Sequence, residues 1–189
     1  MSVIEIPRKP NSQIWTYEKY YKLKDENRYE VINGELRKMT PPAPSLFHQR
    51  QSRKLEFLLI KFTEENNLGE VFNAPIDVIF DVKTSLQPDL VFVAKENSEM
   101  LQKRGIFGSP DLIVEIISPS SLRMDKHTKF ALYEKFKVKE YWLVDPKNEA
   151  IEVFSLEKNK YKLFSIACEK GKVNSKLLKG FEVEVTEIF

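Results

Sequence analysis

The chain predicts a mixed α+β fold, an α/β arrangement in which a central mixed sheet is flanked by helices and an N-terminal β-hairpin leads into it. Three observations carry this expectation. Asn33-Gly34 stands between two β-like runs, the strongest short-range hairpin signal. Phe47, Leu55, Leu58, Leu59 and Phe62 recur at helical spacing, so one helix face is buried. Leu112, Ile113, Val114, Ile116 and Ile117 make a run that is apolar on both faces, as in a strand covered on both sides.

The elements follow in order. Residues 1–13 are polar, contain Pro7 and Pro10, and read as a loose lead-in. Thr16 caps a helix over 17–24, with Tyr17, Tyr20 and Tyr21 as its aromatic area. Strands at 28–32 and 35–39 form the hairpin, which Pro41, Pro42 and Pro44 end. Ser45 is the N-cap of a helix over 46–66, stopped by Asn66, Asn67 and Gly69. Strands are expected at 70–73, 76–82 and 88–94. The second of these alternates as Ile76, Val78, Phe80, Val82 and so has one polar face. Residues 95–109 are charged and read as a loop with one helical turn. The strand at 111–117 is broken by Ser118-Pro119-Ser120-Ser121, which starts a helix over 123–137. Further strands are expected at 139–144, 150–154, 161–166 and 181–186, with Asp145 to Asn148 as a turn. All strands are read into one mixed sheet. No shift in composition marks a second domain, so 1–189 is read as one.

Composition narrows the function classes. The 189 residues suffice for a core without a disulfide or structural metal. Hydrophobic residues are 42% and charged residues 31%, with 13 Phe, 7 Tyr and 2 Trp, which excludes a disordered chain. The single cysteine, Cys168, excludes a disulfide framework and a Cys-rich zinc site. No apolar run approaches the roughly 20 residues of a membrane helix. Met1 to Pro10 holds no secretory leader, so a cytoplasmic protein is expected. The net charge of +2 leaves no large basic footprint. Nucleic-acid binding would rest on local patches, such as Arg50, Arg53 and Lys54 with the 123–139 region.

Glu115 is the informative residue. It is a lone carboxylate in an apolar strand, where burial costs several kcal/mol unless a partner or cation compensates. Two readings stay open: a carboxylate paired with Arg or Lys, or a metal ligand. Asp89 starts the apolar strand after Pro88, and taken alone it is a turn or capping residue. If the two strands are neighbours, Asp89 and Glu115 converge. Two carboxylates with open coordination positions suit Mg²⁺, a hard cation that keeps its water. Lys129 shares a helical stripe with Tyr133 and Phe136, so it either snorkels or is directed at a carboxylate. His48 lies in the first turn of the long helix. It reads as a satisfied histidine, or else as a base or phosphate contact, and His127 has the same bland reading. Asp111, at the far end of its strand, reads as structural. Glu30 and Glu35 flank the hairpin turn, where carboxylates are mostly solvent-exposed.

In sequence order, several blocks together resemble a known family: Tyr29-Glu30-Val31-Ile32-Asn33-Gly34-Glu35-Leu36; His48; Gln87-Pro88-Asp89-Leu90; Pro110 to Ser121; Asp125 with Lys129 and Tyr133; and Glu140-Tyr141-Trp142-Leu143-Val144-Asp145-Pro146. It is the Uma2 family of the restriction endonuclease-like PD-(D/E)XK superfamily, and the likeness runs over residues 14–155. The resemblance implies a restriction endonuclease-like core and an endonuclease that uses Mg²⁺, with Mn²⁺ as a substitute, on DNA. Asp89 and Glu115 would be its metal ligands. The signature lysine belongs two residues after the second acid, where this chain has Ile117. The family's migrated lysine corresponds to Lys129. Glu35 or Glu30 would complete the metal's outer shell, and His48 would contact substrate or move a proton. A homodimer is expected by analogy with two-strand cutters. The competing expectation is a catalytically inactive nuclease fold serving as a DNA-binding or protein-interaction module.

Overall fold

Asn33 and Gly34 take φ of 50° and 85°, the paired positive values of a two-residue hairpin turn. They join β1 (Tyr29–Ile32) to β2 (Glu35–Lys38), as the sequence predicts. The computed structural model describes residues 13–39, 45–118 and 121–189. All but the last residue of the expected lead-in, the prolines after the hairpin, and Pro119-Ser120 lie outside the described residues. Helix α1 (Tyr17–Tyr21) is capped by Thr16, whose Oγ1 accepts the Lys19 N–H. Helix α2 (Leu46–Glu65) is capped by Ser45, whose Oγ accepts the His48 N–H, and buries Leu55 and Leu59.

Strand β3 (Gly69–Asn73) follows. The single strand expected at 76–82 is replaced by a hairpin, β4 (Val78–Asp81) and β5 (Thr84–Leu86). Asp81 Oδ1 accepts the Lys83 N–H at 2.8 Å and turns the chain there, which apolar alternation alone does not reveal. After β6 (Leu90–Ala94), the segment expected to be a loop holds a 3₁₀ stretch, Lys95–Met100. A short hairpin of β7 (Leu101–Gln102) and β8 (Gly105–Phe107) completes it. Strand β9 (Leu112–Ile116) is followed by π-helical turns at Met124–Lys129 that run into α3 (Phe130–Lys135). Strands β10 (Glu140–Asp145), β11 (Ala150–Glu157) and β12 (Lys160–Cys168) come next. The chain ends with β13 (Lys172–Asn174), β14 (Glu182–Glu184) and α4 (Val185–Ile188). Of these, β13 and α4 were not expected, and the strand expected at 181–186 ends at Glu184.

The one sheet expected from the sequence is three, two of six strands and a small one in which β13 pairs with β14. The central one has the order β12-β11-β10-β9-β6-β3, and it is mixed because β9 and β10 run parallel while its other pairs are antiparallel. The second has the order β2-β1-β5-β4-β8-β7 and gathers three hairpins, β1–β2, β4–β5 and β7–β8. It exists because the turn at 82–83 sends β5 back to pair with β1. On one face of the central sheet, Phe92, Val114 and Trp142 pack with Leu55 and Leu59 of α2 and with Val183 and Val185. On the other face, Ile113, Tyr141 and Leu143 pack with Leu132 and Tyr133 of α3. Each apolar strand is thus covered on both sides, and a polar group on β9 has to find its partners inside the protein.

Candidate active site

Strands β6 and β9 are antiparallel neighbours with Leu90 opposite Val114. One residue earlier, Asp89 falls opposite Glu115, with Cα atoms on the order of 5 Å apart. Asp89 Oδ2 accepts the Ile116 N–H at 2.8 Å and lies 3.3 Å from His48 Nε2. The Ser45 cap fixes the first turn of α2, and that turn carries His48 to Asp89. Glu115 Oε1 accepts from Lys129 Nζ at 2.8 Å and from the Tyr133 hydroxyl at 2.5 Å.

Lys129 comes from the helix that crosses over β9. Its stretch is wound as a π-helix, a local widening that often marks functional sites. Besides Glu115, Nζ meets Glu30 Oε1 at 3.4 Å and Asp125 Oδ1 at 3.7 Å. Glu30 is held in turn by the Gln87 N–H at 3.1 Å. Ile117, where the signature would have lysine, packs with Leu132 and Tyr133 instead. Four carboxylates, Glu30, Asp89, Glu115 and Asp125, therefore gather about one lysine and one histidine.

The electrostatics follow from that surplus. Burial pushes Glu115 well above the usual carboxylate range; Lys129 pulls it down, while Asp125 and Asp89 push it up. Burial alone would lower Lys129, but Glu115, Glu30 and Asp125 hold it well above its ordinary value, so it stays protonated. Burial raises Asp125 against the pull of Lys129. Burial lowers His48, but its hydrogen bond and charge contact with Asp89 outweigh this and the net shift is upward.

Asp89, Glu115, Lys129 and His48 are brought together. Glu35 is not among them: its side chain is 75% exposed, and among the described residues its one ion pair is with Arg37, at 3.7 Å. Glu30, expected in solvent, is 6% exposed and faces Lys129. His127 is exposed. Asp111 accepts from Ala94 N–H, Asn97 Nδ2 and Lys139 Nζ, a structural anchor as expected. Two contributors were missed, Asp125 and the Tyr133 hydroxyl. The i,i+4 spacing of Asp125 and Lys129 was a usable signal. Tyr133 stood in the stripe but read as apolar filling.

Among the described residues no three His, Cys, Asp or Glu side chains are grouped to hold a metal ion by themselves. Two carboxylates with water completing the shell is a different demand, and the donor set meets it. The recorded contacts of Asp89 all fall on Oδ2 and those of Glu115 on Oε1, so one oxygen of each accepts no hydrogen bond among the described residues. Asp125 Oδ1 is buried without a hydrogen bond. Hard oxygen donors with surplus negative charge fit a hard divalent cation.

The model of the Uma2 family, described as putative restriction endonuclease, matches residues 16–186. A solved structure described as a putative nuclease belonging to DUF820, from Anabaena variabilis ATCC 29413, superimposes with a TM-score of 0.74 at 17% identity. That match covers 92% of this chain and 97% of the other, and at this identity it shows a shared fold. None of the curated proteins compared with the chain matches it. No helix among the described residues is long and apolar enough to cross a membrane.

Proposed function

Since the chain belongs to the Uma2 family, we propose that it is an endonuclease that hydrolyses phosphodiester bonds of DNA with Mg²⁺, or Mn²⁺ in its place, bound by Asp89 and Glu115. The observation that carries the reading is the 2.8 Å contact of Lys129 with Glu115, which returns a lysine to the second acid although Ile117 fills the usual position. When bound, a divalent cation supplies Lewis-acid polarisation of the scissile phosphate and a water of lowered pKa. The chain's own residues do the rest. Lys129, kept protonated by its carboxylate neighbours, offsets negative charge developing at phosphorus. Tyr133 fixes the orientation of Glu115. His48, anchored on Asp89, contacts substrate or takes up a proton from the attacking water. Water oxygen bonds to phosphorus as the P–O bond to the leaving strand breaks.

Exposed Phe47, with the Arg50 guanidinium 5.9 Å from its ring centre, flanks His48 on α2 and supports contact with nucleic acid. We read residues 1–189 as one cytoplasmic domain that pairs as a homodimer. Leu163, Phe164 and Ile166, 50%, 45% and 54% exposed on the edge strand β12, support the dimer, and light scattering after size exclusion tests it.

A second reading, the fold used for binding without catalysis, draws on the burial of the site: Glu115 and Lys129 are 3% and 6% exposed. One assay decides between the two. Supercoiled and single-stranded DNA are incubated with Mg²⁺ or Mn²⁺ and wild type, Glu115→Gln or Lys129→Met. Metal-dependent cutting by wild type alone is the expected result. DNA bound but uncut by wild type selects the second reading.

A further inference from the structure

Beside this centre lies a cleft of about 440 Å³, lined among others by Arg28, Asp77, Gln87, Lys103, Arg104 and Ile106, that the mechanism above does not use. Its floor is firmly constructed. Gln87 is 7% exposed. Its Oε1 accepts Arg28 Nε at 2.8 Å and Nη2 at 2.6 Å, and its Nε2 donates to Asp77 Oδ1 at 2.8 Å and to the Tyr20 hydroxyl at 3.3 Å. The Gln87 backbone N–H donates to Glu30, which contacts Lys129. The floor is therefore one carboxylate removed from the lysine of the candidate centre.

The mouth is the tip of the β7–β8 hairpin, Lys103-Arg104. Gly105 brings that tip close. A Cβ there would stand 2.4 Å from the Asp77 carbonyl oxygen, and the Ile106 N–H donates to the same oxygen at 2.9 Å. Arg104 is engaged by Glu18 at 2.7 Å, whereas Lys103 is exposed and has no ion pair among the described residues.

We propose that this cleft is a nucleotide subsite, which seats one nucleotide of the nucleic-acid strand next to the scissile phosphate. The proposal rests on the nuclease reading. The volume lies within the roughly 300–1,000 Å³ of small-ligand pockets. Lys103 and Arg28 on the rim suit a phosphate. The Asp77 carboxylate repels a bare phosphate but accepts from the donor edge of a base. Exposed Pro75 and half-buried Ile76 give the base an apolar contact. A nucleotide combines these demands.

The test is calorimetric titration in EDTA at low salt. The four 2′-deoxynucleoside 5′-monophosphates, inorganic phosphate and an octanucleotide of single-stranded DNA are titrated into wild type and Lys103→Glu. Lys103 is exposed and makes no ion pair among the described residues, so the variant folds, and circular dichroism verifies this. The expected result is one mononucleotide bound per chain, at least about ten-fold more weakly in Lys103→Glu, as loss of a charge-assisted contact implies. Inorganic phosphate should bind far more weakly, and the octanucleotide more tightly than any mononucleotide. Absence of saturable nucleotide binding, equal affinity in Lys103→Glu, or phosphate binding as tight as a nucleotide overturns the subsite. Mononucleotide binding tighter than the octanucleotide overturns its assignment to a strand. Metal-dependent cleavage by wild type without nucleotide binding removes the subsite and leaves the nuclease. Nucleotide binding weakened by Lys103→Glu, in a wild type that never cleaves, upholds the subsite and removes the nuclease.

Discussion

Glu140 and Glu115 lie on the neighbouring parallel strands β10 and β9 and are 0% and 3% exposed. Glu140 accepts four donors: Trp142 Nε1 and Ser175 Oγ on one oxygen, the Lys176 and Leu177 N–H groups on the other. Every donor is neutral and comes from the segments it ties together. Glu115 accepts two, both on Oε1, one of them a lysine shared with Glu30 and Asp125. A buried carboxylate with full hydrogen bonding holds a fold together. One left with a free oxygen among like charges carries a standing cost, and such sites are kept for chemistry. Glu115 also sits at the carboxyl end of its strand, where open sheets present ligand sites, while Glu140 opens its own.

Substitutions sharpen this contrast. Glu140→Ala orphans four donors, of which Trp142 Nε1 and Ser175 Oγ are buried, and should cost about 3–5 kcal/mol in urea unfolding, the largest effect among these substitutions. Glu115→Gln keeps the one acceptor oxygen that Lys129 and Tyr133 share, so below pH 4.5, where the wild-type carboxyl is protonated, its unfolding free energy should stay within about 1 kcal/mol of wild type. DNA cleavage should nevertheless fall by about 10³-fold or more. The same variant has a signature in pH. Burial raises Glu115 above its ordinary 4.5, so its contribution to stability is full below pH 4.5 and is lost as pH rises through the folded pKa. Glu115→Gln removes that loss, and its stability relative to wild type should increase with pH across that window in urea titrations. Tyr133→Phe removes one support of Glu115, and cleavage should drop about 10–100-fold with the fold intact by circular dichroism. Glu35→Ala should be the mildest, within about 0.5 kcal/mol in unfolding, because its side chain is exposed and pairs with Arg37 at the surface. A loss of cleavage there would bring Glu35 into the site after all.

Much of this was legible in the sequence where local chemistry decides. The Asn33-Gly34 turn, the Ser45 cap and the apolar run around Glu115 each specify their structure within a few residues. Lys129 was legible because helical spacing placed it on the buried stripe. What stayed hidden depends on long-range pairing. The second sheet forms only because Val31 meets Ser85, which neither segment announces. Glu30 read as a surface hairpin residue because its partners, Lys129 and the Gln87 N–H, lie 99 and 57 residues away in sequence. Asp125 and Tyr133 stood in the resemblance beside Lys129, but no role fell to them until the carboxylate beneath them was in view.

The central claim is that Glu115 is kept underbonded for a cation. Calorimetric titration of Mn²⁺ into wild type and Glu115→Gln at neutral pH tests it most directly. The account predicts saturable binding by wild type, abolished or weakened at least about 100-fold by the substitution. Equal Mn²⁺ affinity in the two proteins, or none in wild type, would contradict it and return Glu115 to the structural role that Glu140 plays.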